Sequence, residues 1–348
     1  MQVIEHLARF KNTYFIILFP LFCLTKTSAQ IFPDTTVHRM LKTGINLIVN
    51  QDYDEAEIVF TKLDDLRKDL PFGKIYLAAT LIAKAYDYQK PFDDENISRY
   101  LEESERKTQK LLDIEDENIW NHYFYAITQG YSAYYEALNE NWLSAISKGL
   151  NSVGAFQYCL DKDSNFYESL IAIGSYKFWR SKKTEFLNWL PFVFNEEELG
   201  IDYLKKAIQN PSYNSYLAIH SLIWIYIEQN DFKNAIKTAI NALKKNPDSR
   251  LFKWGLARAY ESINPEKSIT LYTEILNSYP KDLKSNKINE VTLKHIIAQL
   301  LIKLGKRQEA LNLCNEILSI NDYTSFESDK LGKRLNRVRE LKSELDNK

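Results

Sequence analysis

The chain has 348 residues, 45% hydrophobic, 26% charged and 13% aromatic, with only 10 Gly and 9 Pro. That apolar fraction can build a core and excludes wholesale disorder, and the scarcity of Gly and Pro excludes collagen-like and low-complexity chains. Lys and Arg total 45 against 46 Asp and Glu, a net charge of −1, so no basic excess supports a nucleic-acid role.

The first element in chain order is an expected export signal over residues 1–29. Arg9 and Lys11 form a basic start, Tyr14 to Leu24 is an uncharged apolar run of 11 residues, and Thr27-Ser28-Ala29 offers small residues for cleavage. The run is short of the roughly 20 residues that span a bilayer as a helix, which disfavours a retained anchor. Phe22 before Cys23 lacks the small residue that a lipid-modified cysteine requires. Cleavage after Ala29 leaves 42 basic and 45 acidic side chains, a charge of −3. No other segment is long and apolar enough to span a membrane. The expected address is the periplasm or the outer cell envelope.

From residue 30 onward the apolar pattern has the helical period nearly everywhere. In Asn234–Lys244, Ala235, Ile236, Ala239, Ile240, Ala242 and Leu243 form one stripe. Short polar clusters interrupt it at Asn50-Gln51-Asp52, Asn139-Glu140-Asn141, Gln229-Asn230-Asp231, Asn264-Pro265 and Gly305-Lys306. Short connections favour antiparallel neighbours, so helix pairs are expected. The second helix of each pair opens with a small residue, followed by an apolar residue four later and another three after that. Aligning the small residues gives Ala56, Ser104, Ala145, Gly200, Ala235, Ser268 and Ala310. A small side chain there lets two helix backbones approach closely.

These units resemble the tetratricopeptide repeat (TPR) family, whose unit is about 34 residues long. The first-helix signature of that family matches Leu222-Ile223-x-x-Tyr226 and Leu256-Ala257-x-x-Tyr260, and more loosely Ile297-Ala298-x-x-Leu301 and Thr43-Gly44-x-x-Leu47. The resemblance implies an all-α, right-handed superhelical solenoid over residues 30–323, with an insertion at 179–198 and a capping helix over 324–348. It also places Cys159 and Cys314 about three units apart, so two free, buried thiols are expected.

No sequence motif points to catalysis, a cofactor or a metal site. The expectation is a non-catalytic protein–protein interaction scaffold or adaptor of the cell envelope, which binds an extended partner segment in a concave groove. A glycan- or nutrient-binding protein of the outer envelope is the alternative. By the resemblance, His220, Trp224, Trp254, Arg258, His295 and Gln299 face the groove. A second candidate surface is the insertion, through Arg180, Phe186, Trp189 and Phe192, because aromatic and Arg side chains carry interface hot spots.

Overall fold

The computed structural model describes residues 31–185, 194–280 and 287–347. The expected signal segment therefore lies outside the described residues. Fifteen helices and no strand are present among the described residues. They form seven antiparallel pairs: α1 (Thr35–Val49) with α2 (Tyr53–Leu66), α3 (Phe72–Tyr88) with α4 (Asp94–Ile114), α5 (Ile119–Leu138) with α6 (Trp142–Lys162), α7 (Tyr167–Lys183) with α8 (Glu197–Gln209), α9 (Ser215–Glu228) with α10 (Phe232–Leu243), α11 (Arg250–Tyr260) with α12 (Pro265–Asn277), and α13 (Lys287–Lys303) with α14 (Arg307–Ser319). The last helix, α15 (Ser325–Asp346), packs on α13 and α14. None of these helices is long and apolar enough to cross a membrane.

Four of the pairs are joined by the same turn. Gln51, Glu140, Asn230 and Gly305 sit in the left-handed region at φ 64°, 62°, 57° and 74°. The next residues, Asp52, Asn141, Asp231 and Lys306, adopt φ between −84° and −86° and ψ between 60° and 64°. Each of those four donates its N–H five residues back, to Leu47, Glu136, Tyr226 and Leu301. This bond satisfies carbonyls orphaned at a helix end and reverses the chain in three residues. Four residues after each turn comes a buried small residue: Ala56, Ala145, Ala235 and Ala310. Ser104, Gly200 and Ser268 are buried at the equivalent places. At Gly200 the fit is closest, since an added Cβ would lie 2.5 Å from the Gly174 carbonyl oxygen and 2.9 Å from the Phe178 nitrogen.

The cap begins with a reciprocal capping box, in which Thr324 Oγ1 accepts from the Glu327 N–H and Glu327 returns a bond to the Thr324 N–H. Leu331 and Val338 are its buried apolar contacts. They close the face that the final pair would otherwise leave open. Cys159 and Cys314 are both free and buried.

The concave face is not an open groove. The first pairs lie against the last ones, so the array closes on itself. Val49 shares one apolar cluster with Ile223 and Phe252. The Phe32 N–H donates to the Tyr213 hydroxyl at 3.0 Å. Asp87 at the end of α3 receives the Arg250 guanidinium from α11; Arg250 is buried and Asp87 is largely so.

Candidate functional site

The odd-numbered helices form the inner wall and enclose a cavity of about 880 Å³. Its wall carries Tyr131 and Tyr134 of α5, His220 and Trp224 of α9, Trp254 of α11 and Tyr279 after α12, with Ile82 and Ile171 between them. Tyr86 and Tyr134 both line the cavity and remain about half exposed, at 53% and 45%, which places them at its mouth. The volume falls inside the roughly 300–1,000 Å³ that small-ligand sites occupy.

Two polar assemblies shape this wall. The first is centred on Glu168 in the opening turn of α7. Glu168 Oε1 accepts from the Tyr213 and Asn214 N–H groups, and Oε2 accepts from the Tyr123 hydroxyl at 3.2 Å and from Asn214 Nδ2 at 2.9 Å. The Tyr76 hydroxyl donates to Asn214 Oδ1 at 3.3 Å. The Glu168 carboxylate and the Asn214 amide together tie α3, α5 and α7 to the loop before α9. Burial pushes its pKa above the ordinary 4.5, and the donors from Asn214, Tyr213 and Tyr123 only partly oppose that.

The second assembly is the closure at Asp87. Arg250 Nε donates to both Asp87 oxygens, at 3.0 and 3.1 Å, and Nη2 bonds Oδ2 as well. Nη1 donates to the Ser278 carbonyl at 3.2 Å. The guanidinium lies over the Tyr279 ring at 4.6 Å and the Tyr88 ring at 5.6 Å. Asn289 Nδ2 donates to the Asp87 carbonyl at 2.7 Å. The Arg250 N–H, in the first turn of α11, donates to Gln51 Oε1 at 2.9 Å. The turn residue of the first pair therefore caps a helix in the sixth. Burial pulls the Arg250 pKa down, but the hydrogen bonds and charge of Asp87 outweigh it, and the group titrates above its ordinary value.

Of the six groove residues expected from sequence, the structure brings three together on the cavity wall: His220, Trp224 and Trp254. Trp224 Nε1 donates to His220 Nε2 at 2.9 Å, and burial lowers the His220 pKa to about 4, so the ring is neutral at pH 7. Trp254 meets the Tyr272 ring edge-on at 5.4 Å. The other three lie elsewhere. Arg258 is exposed in the last turn of α11 and pairs with Glu261. Gln299 is exposed and away from the cavity. His295 is buried under α15, at 2% exposure, and its Nδ1 accepts from Arg334 Nη1 at 3.3 Å. The α13 helix instead presents Asn289 and Thr292 to the cavity, an earlier register than the repeat alignment gives.

In the insertion, Arg180 is exposed, pairs with Glu196 and lies 5.3 Å over the Tyr176 ring. Lys177 reaches the same Glu196 at 2.5 Å, and Ser181 Oγ accepts the Glu196 N–H at 2.9 Å. These bonds staple the two ends of the insertion together. Phe186, Trp189 and Phe192 lie outside the described residues.

Sequence reasoning missed Glu168, Asp87, Arg250 and Arg334. Glu168 and Asp87 sit in helices that read as ordinary amphipathic stretches. Arg334 lies in a helix read only as a cap.

No family model matches the chain, and no curated protein matches it. Among solved structures, it is similar to the C-terminal part of a TPR repeat-containing protein from Cytophaga hutchinsonii, at 16% identity over 84% of this chain and 99% of that one, with a TM-score of 0.39. It is also similar to a tetratricopeptide repeat protein from Parabacteroides merdae, at 10% identity over 89% and 100%, with a TM-score of 0.39. A third is IFIT1, as a monomeric mutant with Gppp-AAAA, at 13% identity and a TM-score of 0.48; the match covers 84% of this chain and 61% of that one. Within the chain itself, the four like turns and the seven buried small residues repeat one helix-pair unit. The chain folds as an all-α array of repeated helix pairs. Within it, the closure between α3 and α11 makes the inner surface of the array a partly enclosed site.

Proposed function

We propose that this chain is a non-catalytic TPR scaffold or adaptor that holds a short segment of a protein partner in its central cavity. The observation that carries this reading is the enclosed aromatic wall at the centre of the array. Aromatic rings offer large apolar contact area at low entropic cost, which suits an anchor side chain of a bound segment. Two titratable groups on the wall, His220 and Tyr131, favour binding over chemistry. Burial holds His220 neutral and pushes the Tyr131 phenol up to about 12, so neither is poised as a base or nucleophile near pH 7. Export across the inner membrane and residence in the cell envelope belong to the same proposal and rest on residues 1–29.

A photo-cross-linking amino acid placed at Tyr86 or Tyr134, at the cavity mouth, tests the reading in cells. The expected result is a covalent adduct with one protein, through a short segment, that is lost when the cavity is filled by Ala83→Trp. Adducts that persist in the filled variant would sink it.

A second reading is a glycan- or nutrient-binding site. It is favoured by the amide groups of Gln51, Gln89, Asn214 and Asn289, which line the cavity beside the rings. Saturable quenching of Trp224 and Trp254 fluorescence by a member of a glycan panel is its expected signature.

A further inference from the structure

The charges on the cavity wall are unequally answered. Asp87 is matched by Arg250, and Glu168 is surrounded by four donors. Arg334 projects from α15 to the cavity and makes no ion pair among the described residues. Among the described residues its hydrogen-bond partner is the His295 ring, which accepts through Nδ1 at 3.3 Å. His295 is a poor counter-charge. Burial, with Arg334 and Arg337 nearby, lowers its pKa to about 4, so it is neutral at pH 7.

The His295 bond holds the guanidinium in place without neutralising it. Burial and the like charge of Arg337 also lower the pKa of Arg334, though a guanidinium stays protonated at pH 7. A guanidinium has five N–H donors in a fork that fits carboxylate, sulfonate and phosphate oxygens, and one donor meets His295. Thr292, one turn before His295 on α13, also lines the cavity and brings a hydroxyl to the same wall. A partly desolvated cation with no counter-ion among the described residues is costly, and an anionic ligand group would relieve that cost.

We infer that the Arg334 end of the cavity is an anion-binding subsite, and that the ligand joins an apolar or aromatic body to one anionic group. This rests on the reading of the cavity as the ligand site. The aromatic wall takes the body and Arg334 takes the charge. Two sources share that chemistry: an acidic end of a bound peptide, and a free aromatic acid.

The experiment uses two dyes with nearly the same ring body, 1-anilinonaphthalene-8-sulfonate and the uncharged N-phenyl-1-naphthylamine. The expected result is binding of both, with the sulfonate about tenfold tighter, in line with a charged hydrogen bond. Arg334→Gln should erase the preference and leave the neutral dye unaffected, and Arg334→Lys should restore most of it. Equal affinities in the natural chain, or a preference that survives Arg334→Gln, would overturn the subsite while leaving the cavity reading intact. If neither dye binds, or if Ala83→Trp blocks neither, the cavity reading itself fails and the subsite with it. Displacement of the sulfonate dye by N-acetyl-phenylalanyl-tryptophan, and not by its amide, assigns the anion to a peptide end. Displacement by 2-naphthoate alone assigns it to a free acid. No displacement by either overturns the inference.

Discussion

The Glu168 assembly and the Asp87–Arg250 closure both bury a carboxylate in the inner wall, yet they are built on different physics. Glu168 is met by neutral donors only, two backbone amides, one side-chain amide and a phenol. Asp87 is met by a full positive charge. The first ties α3, α5 and α7 to the loop before α9 and works as an internal brace. The second joins the second pair to the sixth and determines whether the array is closed. A carboxylate solvated by dipoles can be neutralised by a proton with modest loss. A buried ion pair that loses one partner leaves a bare charge behind.

Removing one partner of the closure should therefore have the largest effect. Asp87→Ala or Arg250→Ala is expected to destabilise by about 3–5 kcal/mol, read by urea unfolding. Small-angle scattering should show an expanded particle, because the contacts across the closure are lost. The double replacement Asp87→Leu with Arg250→Met sharpens the comparison. It should recover most of that loss, since apolar pairs often replace buried ion pairs at little cost. If the double variant is as unstable as the singles, the pair acts through geometry rather than charge.

The brace should respond less to substitution and more to pH. Glu168→Gln is expected to cost about 1–3 kcal/mol, because the new amide turns one acceptor into a donor facing Asn214. The folded carboxyl titrates above its ordinary 4.5, so the folded chain binds that proton more tightly than the unfolded chain. The Glu168 contribution is thus most favourable below pH 4.5 and is lost as the pH rises through the raised folded value. Glu168→Gln should remove that component from the pH dependence of the melting temperature. A curve unchanged in shape would refute the assignment.

Two smaller effects bracket the comparison. Gln51→Ala removes the side-chain acceptor at the start of α11 and should cost about 1 kcal/mol, as loss of a helix cap does. Faster hydrogen exchange of the Arg250 amide would be its local signature. Lys84, which pairs with Glu57 at 2.9 Å on the surface with both side chains about a third exposed, is the control. Lys84→Ala should change stability by less than about 1 kcal/mol.

Much of the fold was legible because it is local and repeated. The small residues Ala56 through Ala310, the polar turn clusters and the apolar stripe of the last helix each announce themselves within about ten residues. The burial of Cys159 and Cys314 followed from their helix positions. The candidate site was legible only where the repeat is regular. His220, Trp224 and Trp254 lie in the well-matched units and reach the cavity wall, whereas the α13 alignment chose His295 and Gln299 over Asn289 and Thr292. The closure was not legible at all. Its partners are separated by 163 residues between Asp87 and Arg250, and by 199 between Gln51 and Arg250. No local pattern marks a pairing across such a distance. An open groove was expected because a regular repeat specifies neighbour contacts and says nothing of contacts between distant units.

The closure also bears on how the chain reaches its native state. An open solenoid can grow unit by unit from any starting pair, since every contact is with a neighbour. Here the final contacts must bring together segments more than 150 residues apart, and closing so long a loop carries an entropic cost before any reward. Folding should accordingly separate into two kinetic events: rapid growth of the helical array, and slower ring closure. The lag between helical signal and the burial of Trp254 measures the gap between them.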